Sequence, residues 1–109
     1  MVLYNVTVKV NNEIREEWLQ WMRQVHIPHV MASGSFLSYR INRVLSLEDS
    51  DGTTYAFQYL CQDLATLHHY QVHHAPLLQK EHADRYKDQF VVFRTILEII
   101  EEGIGKNSN

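Results

Sequence analysis

Cysteine is almost absent from this chain of 109 residues, since Cys61 is the single one. One thiol excludes an intramolecular disulfide and a zinc site built from cysteines. The sequence also lacks any run of basic residues and carries a net charge of −3. Nucleic-acid-binding proteins usually present a basic face, so we expect no nucleic-acid partner.

Long apolar runs are missing as well. No stretch approaches the roughly 20 apolar residues of a membrane-spanning helix. The opening segment, MVLYNVTVKV, alternates in polarity and has no basic region followed by an apolar one, as a signal peptide would have. We therefore expect a cytoplasmic protein that does not associate with a membrane.

Aromatic and aliphatic residues are plentiful, and hydrophobic residues make up 45% of the chain. This composition predicts a packed core, and the length suits one domain. We place that domain at residues 1–100. The last segment, residues 101–109, is polar and contains glycine, which is typical of a tail outside the core.

Alternating and helical apolar patterns succeed one another in a recognisable order. Period-two alternation predicts strands at residues 2–10, 36–47, 53–61 and 90–100. Helical spacing predicts helices at residues 13–25 and 63–86, the second capped by Asp63. The order βαββαβ is that of the α+β ferredoxin-like fold, with a four-stranded antiparallel sheet.

The two prolines of the chain each follow a histidine by two positions. His26 precedes Pro28 and His74 precedes Pro76, near the end of each predicted helix. Proline disfavours helical conformation in the residue before it and suits the first turn of a new helix. We expect a helix break at each proline, with His26 and His74 facing solvent there.

The strand alternation divides the predicted sheet into two faces. The more apolar face, which two helices would cover, comprises Tyr4, Val6, Val8, Leu37, Ile41, Leu45, Tyr55, Phe57, Tyr59, Val91, Phe93 and Leu97. The alternate positions include Phe36, Val44, Leu60, Phe90, Val92 and Ile96 among polar residues. These are too many large apolar side chains for a water-facing surface, so we expect a second copy of the chain to bury them.

Arg40 and Arg94 are predicted in the middle of strands on that second face. A buried guanidinium requires an anionic partner. One interpretation is a ligand site for a carboxylate or another anion, with Asn5 and Gln58 as neutral hydrogen-bond partners. The other is an ion pair with Glu98, or with an acid of the second copy, that only holds the interface together.

Seven histidines are unusually many for this length. His26, His73 and His74 are secondary candidates for a binding site. Spacings of three or four residues can place two imidazoles on one helix face, as a metal requires. No HExxH motif occurs, however, so we expect no metal site. His82 lies on the apolar side of its helix, which is typical of a core histidine.

Several segments together resemble a known family, called domain of unknown function 4286. They are LYNVTVKV, EEWLQWM, HIPHVMASGSF, YAFQYL, HHAPLLQKEH and FVVFRT. The resemblance implies membership of the dimeric α/β-barrel superfamily, in which two four-stranded sheets pack face to face. That superfamily includes antibiotic-biosynthesis-monooxygenase-like and haem-degrading proteins. A haem-degrading relative would combine an asparagine, a tryptophan and a histidine, and here only Asn5 and His73 or His74 match.

The sequence thus predicts a homodimer that binds a small anionic metabolite between its sheets or at their rim, without a cofactor. Two alternatives stay open. One is a cofactor-independent monooxygenase-like enzyme, by analogy with the superfamily. The other is a purely structural dimer.

Overall fold

A computed structural model describes residues 1–106 of the chain. Four antiparallel strands form one sheet in the order β2-β3-β1-β4. The strands are β1 (Val2–Val10), β2 (Ser38–Arg43), β3 (Thr53–Cys61) and β4 (Phe90–Glu98). This order and the βαββαβ succession confirm the ferredoxin-like prediction.

The helices lie in two regions, both on the same side of the sheet. The first begins with a 3₁₀ turn (Asn12–Ile14), followed by α1 (Arg15–Trp21), a π-helical turn (Met22–His26) and α2 (Ile27–Ala32). The second consists of α3 (Leu64–His73) and α4 (Ala75–Arg85). The Asp63 carboxylate accepts a hydrogen bond from the backbone N–H of Thr66, which confirms the predicted cap.

The two prolines act differently. At Pro76 the predicted break is present, because His74 has a non-helical φ of −121° between α3 and α4. At Pro28 the predicted break is wrong, and His26 keeps right-handed helical angles. The helix instead widens into the π turn, where the N–H of Ile27 donates to the carbonyl of Met22, five residues back. A wider turn accommodates a ring that would clash with the carbonyl four residues before it.

The core lies between the helices and one face of the sheet, here called the helix-facing side. Every second residue of each strand points to this side, and the pairing of neighbouring strands places these side chains next to one another. Strands β1 and β3 contribute Tyr4, Val6, Val8, Val10, Tyr55, Phe57, Tyr59 and Cys61. Within residues 1–106, no helix covers the opposite face, which is called the open face below.

The predicted faces of β4 are wrong. Val8 pairs with Val92 and Val6 pairs with Arg94, so Phe90, Val92, Arg94 and Ile96 lie on the helix-facing side. Val91 and Phe93 lie on the open face, 67% and 64% exposed. The strand is apolar at both parities, so alternation alone could not choose between them.

The predicted second strand was too long. Because β2 begins only at Ser38, the period-two rule does not extend to Phe36. Phe36 is buried in the core, with its ring 4.7 Å from that of Tyr70 and 5.0 Å from that of Tyr59, instead of lying on the open face. Leu37 and Leu45, which were expected on the covered face, are exposed.

The end of the chain follows β4. Residues 101–106 form no regular secondary structure and are exposed, while the rest of the predicted tail, residues 107–109, lies outside the described residues. Across the part of the chain that the structure describes, no helix has the length and apolar character needed to cross a bilayer.

Candidate functional site

A small cavity lies on the helix-facing side, between the sheet and both helical regions, with a volume of about 30 Å³. That space holds one or two water molecules. Polar side chains from six elements converge on it: Tyr4, His26, Tyr59, Tyr70, Gln79, His82 and Arg94. The apolar part of the wall is formed by Val6, Val8, Met22, Val30, Phe57, Leu78 and Val92. Polar groups gathered within an apolar wall are the usual composition of a binding site.

His82 lies on the inner face of α4 and is 5% exposed. Its Nε2 accepts a hydrogen bond of 2.9 Å from the indole N–H of Trp18, which is fully buried. The imidazole stacks on Phe90, with ring centroids 4.0 Å apart. Burial, followed by the proximity of His26 and Arg94, lowers the pKa of His82 to about 4, so the ring is neutral near pH 7.

His26 reaches the cavity from the last position of the π turn. Its ring stacks on Trp21 at 5.6 Å and lies 5.6 Å from that of His82. The Nδ1 atom is buried and has no hydrogen-bond partner in the described part of the chain. Burial lowers the pKa of His26 to about 4, although the nearby carboxylate of Glu81 acts in the opposite direction. A buried polar atom without a partner is uncommon in native proteins, and it often marks a functional position.

Three phenols line the sheet side and the α3 side of the cavity. Burial raises the pKa of Tyr4, Tyr59 and Tyr70, so their hydroxyl groups stay protonated. Arg94 lies beside Tyr4, and its positive charge partly counteracts the effect of burial on the pKa of that phenol. The side chains of Arg94 and Gln79 are themselves exposed, so these two residues form the mouth of the cavity.

This arrangement combines one permanent cation with neutral hydrogen-bonding groups. Among residues 1–106, Arg94 forms no ion pair with an acidic side chain, so the predicted pairing with Glu98 is absent. A guanidinium beside protonated phenols offers several donors to one acceptor group. Neutral imidazoles can add a donor or accept a proton. The cavity is therefore suited to an oxygen-bearing anion.

The four primary site residues predicted from the sequence do not meet. Asn5 pairs with Gln58, and Gln58 pairs with Arg40, so these three form one row across the open face. Arg94 projects from the opposite side of the sheet, and its placement with the other three is wrong. Asn42, which lies outside this row, donates from Nδ2 to Gln58 Oε1 at 3.3 Å, and Asn5 Oδ1 is buried without a hydrogen-bond partner among residues 1–106.

The secondary candidates also separate. His26, expected to face solvent, lines the cavity. His73 and His74 lie beside His29 and Glu81 in a surface groove between the two helical regions. There His29 Nδ1 is 3.4 Å from Glu81 Oε1. Within residues 1–106, no three histidine, cysteine or acidic side chains are arranged to hold a metal ion.

Sequence reasoning missed the role of His82 and of the three tyrosines. His82 was predicted as a core histidine, which the structure confirms by its burial, but it was not assigned to a site. A usable signal was present in β1 and β3, where Tyr4 and Tyr59 occupy positions of the covered face. Phenolic oxygens on a covered face need polar neighbours, so their presence points to a polar pocket inside the core.

Solved structures with the same fold include three proteins of low sequence identity. A dimeric ferredoxin-like protein from an uncultured marine organism is 12% identical, with a TM-score of 0.65 over 94% of this chain and 97% of that chain. HapK from Hahella chejuensis is 10% identical, with a TM-score of 0.68 over 98% and 100% of the two chains. SnoaB, a cofactor-independent oxygenase from Streptomyces nogalater, is 9% identical, with a TM-score of 0.66 over 93% and 95%. At these identities the likeness concerns the fold alone.

A search of curated proteins found no match. The model of the family described as "Domain of unknown function (DUF4286)" matches residues 1–100, which is nearly the whole chain. The extent of that match agrees with the resemblance noted in the sequence. The chain therefore belongs to this DUF4286 family.

Proposed function

We propose that the protein is a homodimer whose protomers each bind a small oxygen-bearing anion, such as a carboxylate or an enolate, in the helix-side cavity. The observation that carries this proposal is the convergence of Arg94, His26 and His82 on one cavity. Arg94 supplies the charge, and no acidic side chain among residues 1–106 neutralises it. Among residues 1–106, no group forms a hydrogen bond with the buried Nδ1 of His26, so a ligand could bind this atom without displacing one.

The size of the cavity limits how a ligand is held. A volume of about 30 Å³ admits a group of a few atoms but not a whole metabolite. The charged end of the ligand would enter between Tyr4 and His26, and the remainder would lie at the mouth beside Gln79. Selectivity would therefore depend on the anionic group rather than on the body of the ligand.

An enzyme acting on a phenol or enol is the second candidate function. The specific observation in its favour is a neutral imidazole, His26, in the same cavity as a guanidinium. The imidazole can accept the O–H proton of the substrate, and Arg94 can stabilise the resulting oxyanion. SnoaB, which has the same fold, is described as a cofactor-independent oxygenase. In this candidate the reaction would likewise need no cofactor.

The open face supports the homodimer. Val91 and Phe93 are more than 60% exposed there, and the nearby Leu97 is 42% exposed. A flat apolar face of this kind is usually covered by a partner. A second copy fits because the structurally similar marine protein is described as dimeric. In this arrangement Asn5, Gln58 and Arg40 would lie between the sheets, and we assign them to the interface.

The protein would act in the cytoplasm, where a buried free thiol such as Cys61 stays reduced.

The ligand prediction separates the two arginines. The melting temperature of the protein is recorded at increasing concentrations of sodium acetate, sodium oxalate or sodium benzoate. Sodium chloride at the same ionic strength is the control for each salt. We expect at least one carboxylate to stabilise the wild-type protein. Arg94→Leu should weaken that binding by about tenfold or more, because a hydrogen bond to a charged group is worth about 1.5–3 kcal/mol. Arg94→Lys should retain part of it.

Arg40→Leu is the matched control, since Arg40 is also exposed and lies in the middle of a strand. It should leave the stabilisation unchanged. Loss of binding in Arg40→Leu with retention in Arg94→Leu would contradict the helix-side site and restore the site between the sheets.

The enzymatic candidate is tested by measuring oxygen uptake with an oxygen electrode, using a polyphenol or a 1,3-diketone as the substrate. Uptake that persists in His26→Ala would rule out the role of His26.

A further inference from the structure

We propose that Trp18 is a positioning residue: it holds His82 in the neutral tautomer that carries its proton on Nδ1, so that His82 acts only as a hydrogen-bond donor to the anion. This inference rests on the proposed function for its consequence, but its structural part can be tested without any ligand. It gives the two cavity histidines different roles.

The direction of the Trp18–His82 hydrogen bond is fixed by chemistry. An indole N–H can only donate, so His82 Nε2, at 2.9 Å, must be the acceptor and carry no proton. A neutral imidazole has one proton, which then resides on Nδ1. Trp18 is fully buried, so water cannot replace His82 as the partner of the indole. Losing this bond would leave a buried donor unpaired.

The ring of His82 is also held in orientation. Phe90 stacks on it at 4.0 Å with an interplanar angle of 16°, and Trp21 lies at 6.0 Å with an angle of 20°. A half-turn of the imidazole within this stack would put a carbon atom opposite the indole N–H. The orphaned donor makes that flipped state unfavourable. Packing and hydrogen bonding therefore select the same orientation and the same tautomer.

The consequence is a division of roles within the cavity. If His82 accepted a second proton, it would bind to Nε2 and point directly at the indole N–H of Trp18. His82 is therefore poorly suited to act as a base. His26, whose Nδ1 has no hydrogen-bond partner within residues 1–106, is the imidazole that remains free to accept a proton. With His82, Arg94 and the phenols all donating, the wall favours ligands rich in acceptors. Carboxylates and enolates fit this pattern, whereas amines and cations do not.

The test is a nuclear magnetic resonance measurement of the histidine tautomer. Protein labelled with ¹⁵N at histidine is studied at pH 7 without ligand, using long-range ¹H–¹⁵N correlation. In the wild type we expect His82 to show an unprotonated Nε2 and a protonated Nδ1. Trp18→Phe removes only the donor of this bond while keeping an aromatic ring. There we expect more than half of His82 to carry its proton on Nε2.

Trp21→Phe is the matched control, because Trp21 stacks on the same imidazole without bonding to it. It should leave the His82 tautomer as in the wild type. A protonated Nε2 in the wild type, or a Trp18→Phe spectrum identical to it, would overturn the inference. If Trp18→Phe does not fold, the wild-type spectrum alone decides.

Ligand binding distinguishes this inference from the function on which it rests. Benzoate titration of Trp18→Phe should give a Kd about two- to tenfold higher than the wild type, because only the minor fraction of His82 that still carries its proton on Nδ1 can donate to the anion. If the tautomer is as expected but no carboxylate binds the wild type, the proposed function fails, and the role of Trp18 in binding fails with it. If carboxylates bind and the tautomer differs, only the role of Trp18 is lost.

Discussion

His26 and His82 illustrate how burial alone can set the chemistry of a side chain. Both imidazoles lie under the helices in contact with aromatic rings, where the charged form is poorly solvated. The positive charge of Arg94 disfavours protonation of both rings further, and a neighbouring histidine adds to this effect, His29 at His26 and His26 at His82. The cavity therefore holds a single permanent positive charge, that of Arg94, rather than three. For the proposed anion site, this difference would limit the attraction to one anionic group at a time.

The lowered pKa of these two histidines predicts that acid destabilises the protein. In the unfolded chain a histidine titrates near pH 6.5, but in the folded protein each has a pKa of about 4. Between these values the unfolded state binds protons that the folded state does not. The free energy of unfolding should thus be constant above about pH 6.5 and fall as the pH decreases toward 4. Each histidine adds a slope of at most about 1.4 kcal/mol per pH unit.

Urea denaturation between pH 4 and pH 7.5 measures this slope. His26→Gln should reduce it, because one of the two linked protons is removed. His68→Gln, on the exposed side of α3, is the control and should leave the slope unchanged. Equal slopes in the wild type and in His26→Gln would show that His26 titrates normally in the folded state.

At the scale of elements, the first and last residues of β1 and β3 can be predicted from the sequence, whereas the predicted assignment of β4 side chains to the two faces of the sheet is wrong. In β1 the polar residues Asn5, Thr7 and Lys9 mark one face, and the apolar residues mark the other. In β4 both parities are apolar, because one side meets the core and the other forms the open face. The orientation of such a strand is set by its pairing with β1, which the sequence does not display.

The site could be predicted only in part, for the same reason: which side chains lie together depends on strand pairing and packing that the sequence does not show. Arg94 was identified correctly as a charge in the middle of a strand, but its neighbours depended on the orientation of β4. His26 was noted for its proximity to Pro28. Its place in the cavity depends on the π turn, for which no sequence rule was available. A helix break and a widened turn are both responses to proline, and tertiary packing decides between them.

Gly52 lies directly before β3, and its backbone conformation supports a test. Gly52 has a φ of +151°, and a Cβ atom there would lie 3.1 Å from the carbonyl oxygen of Val10. Because that neighbour is backbone, it cannot move aside easily. Gly52→Ala should lower the free energy of unfolding by about 1–3 kcal/mol.

Gly103→Ala is the control for this substitution, since a Cβ atom there meets nothing within 4 Å. It should change the free energy of unfolding by less than about 0.5 kcal/mol. Both variants can be compared with the wild type by urea denaturation. If Gly52→Ala is as stable as Gly103→Ala, the turn relaxes at little cost and the contact with Val10 is not limiting.

At the scale of the whole molecule, the proposed function gives the two sides of the sheet different tasks. The helix-facing side encloses the cavity with its polar residues, while the open face exposes a broad surface that one protomer cannot cover. A ligand site on one side and an interface on the other would let the two functions vary independently.

Two neighbouring residues of β4 distinguish the faces. Phe93 lies on the open face, so Phe93→Asp should leave the protomer folded, because exposed substitutions usually cost less than about 0.5 kcal/mol. It should abolish the dimer, since a carboxylate in a dry interface is strongly unfavourable. Light scattering should give about twice the chain mass of 12.9 kDa for the wild type and a single chain mass for the variant. Val92→Asp instead places the charge on the helix-facing side, within the wall of the cavity, and should destabilise the protomer itself. A monomeric wild type, or a dimeric Phe93→Asp, would show that the open face is covered by something other than a second copy.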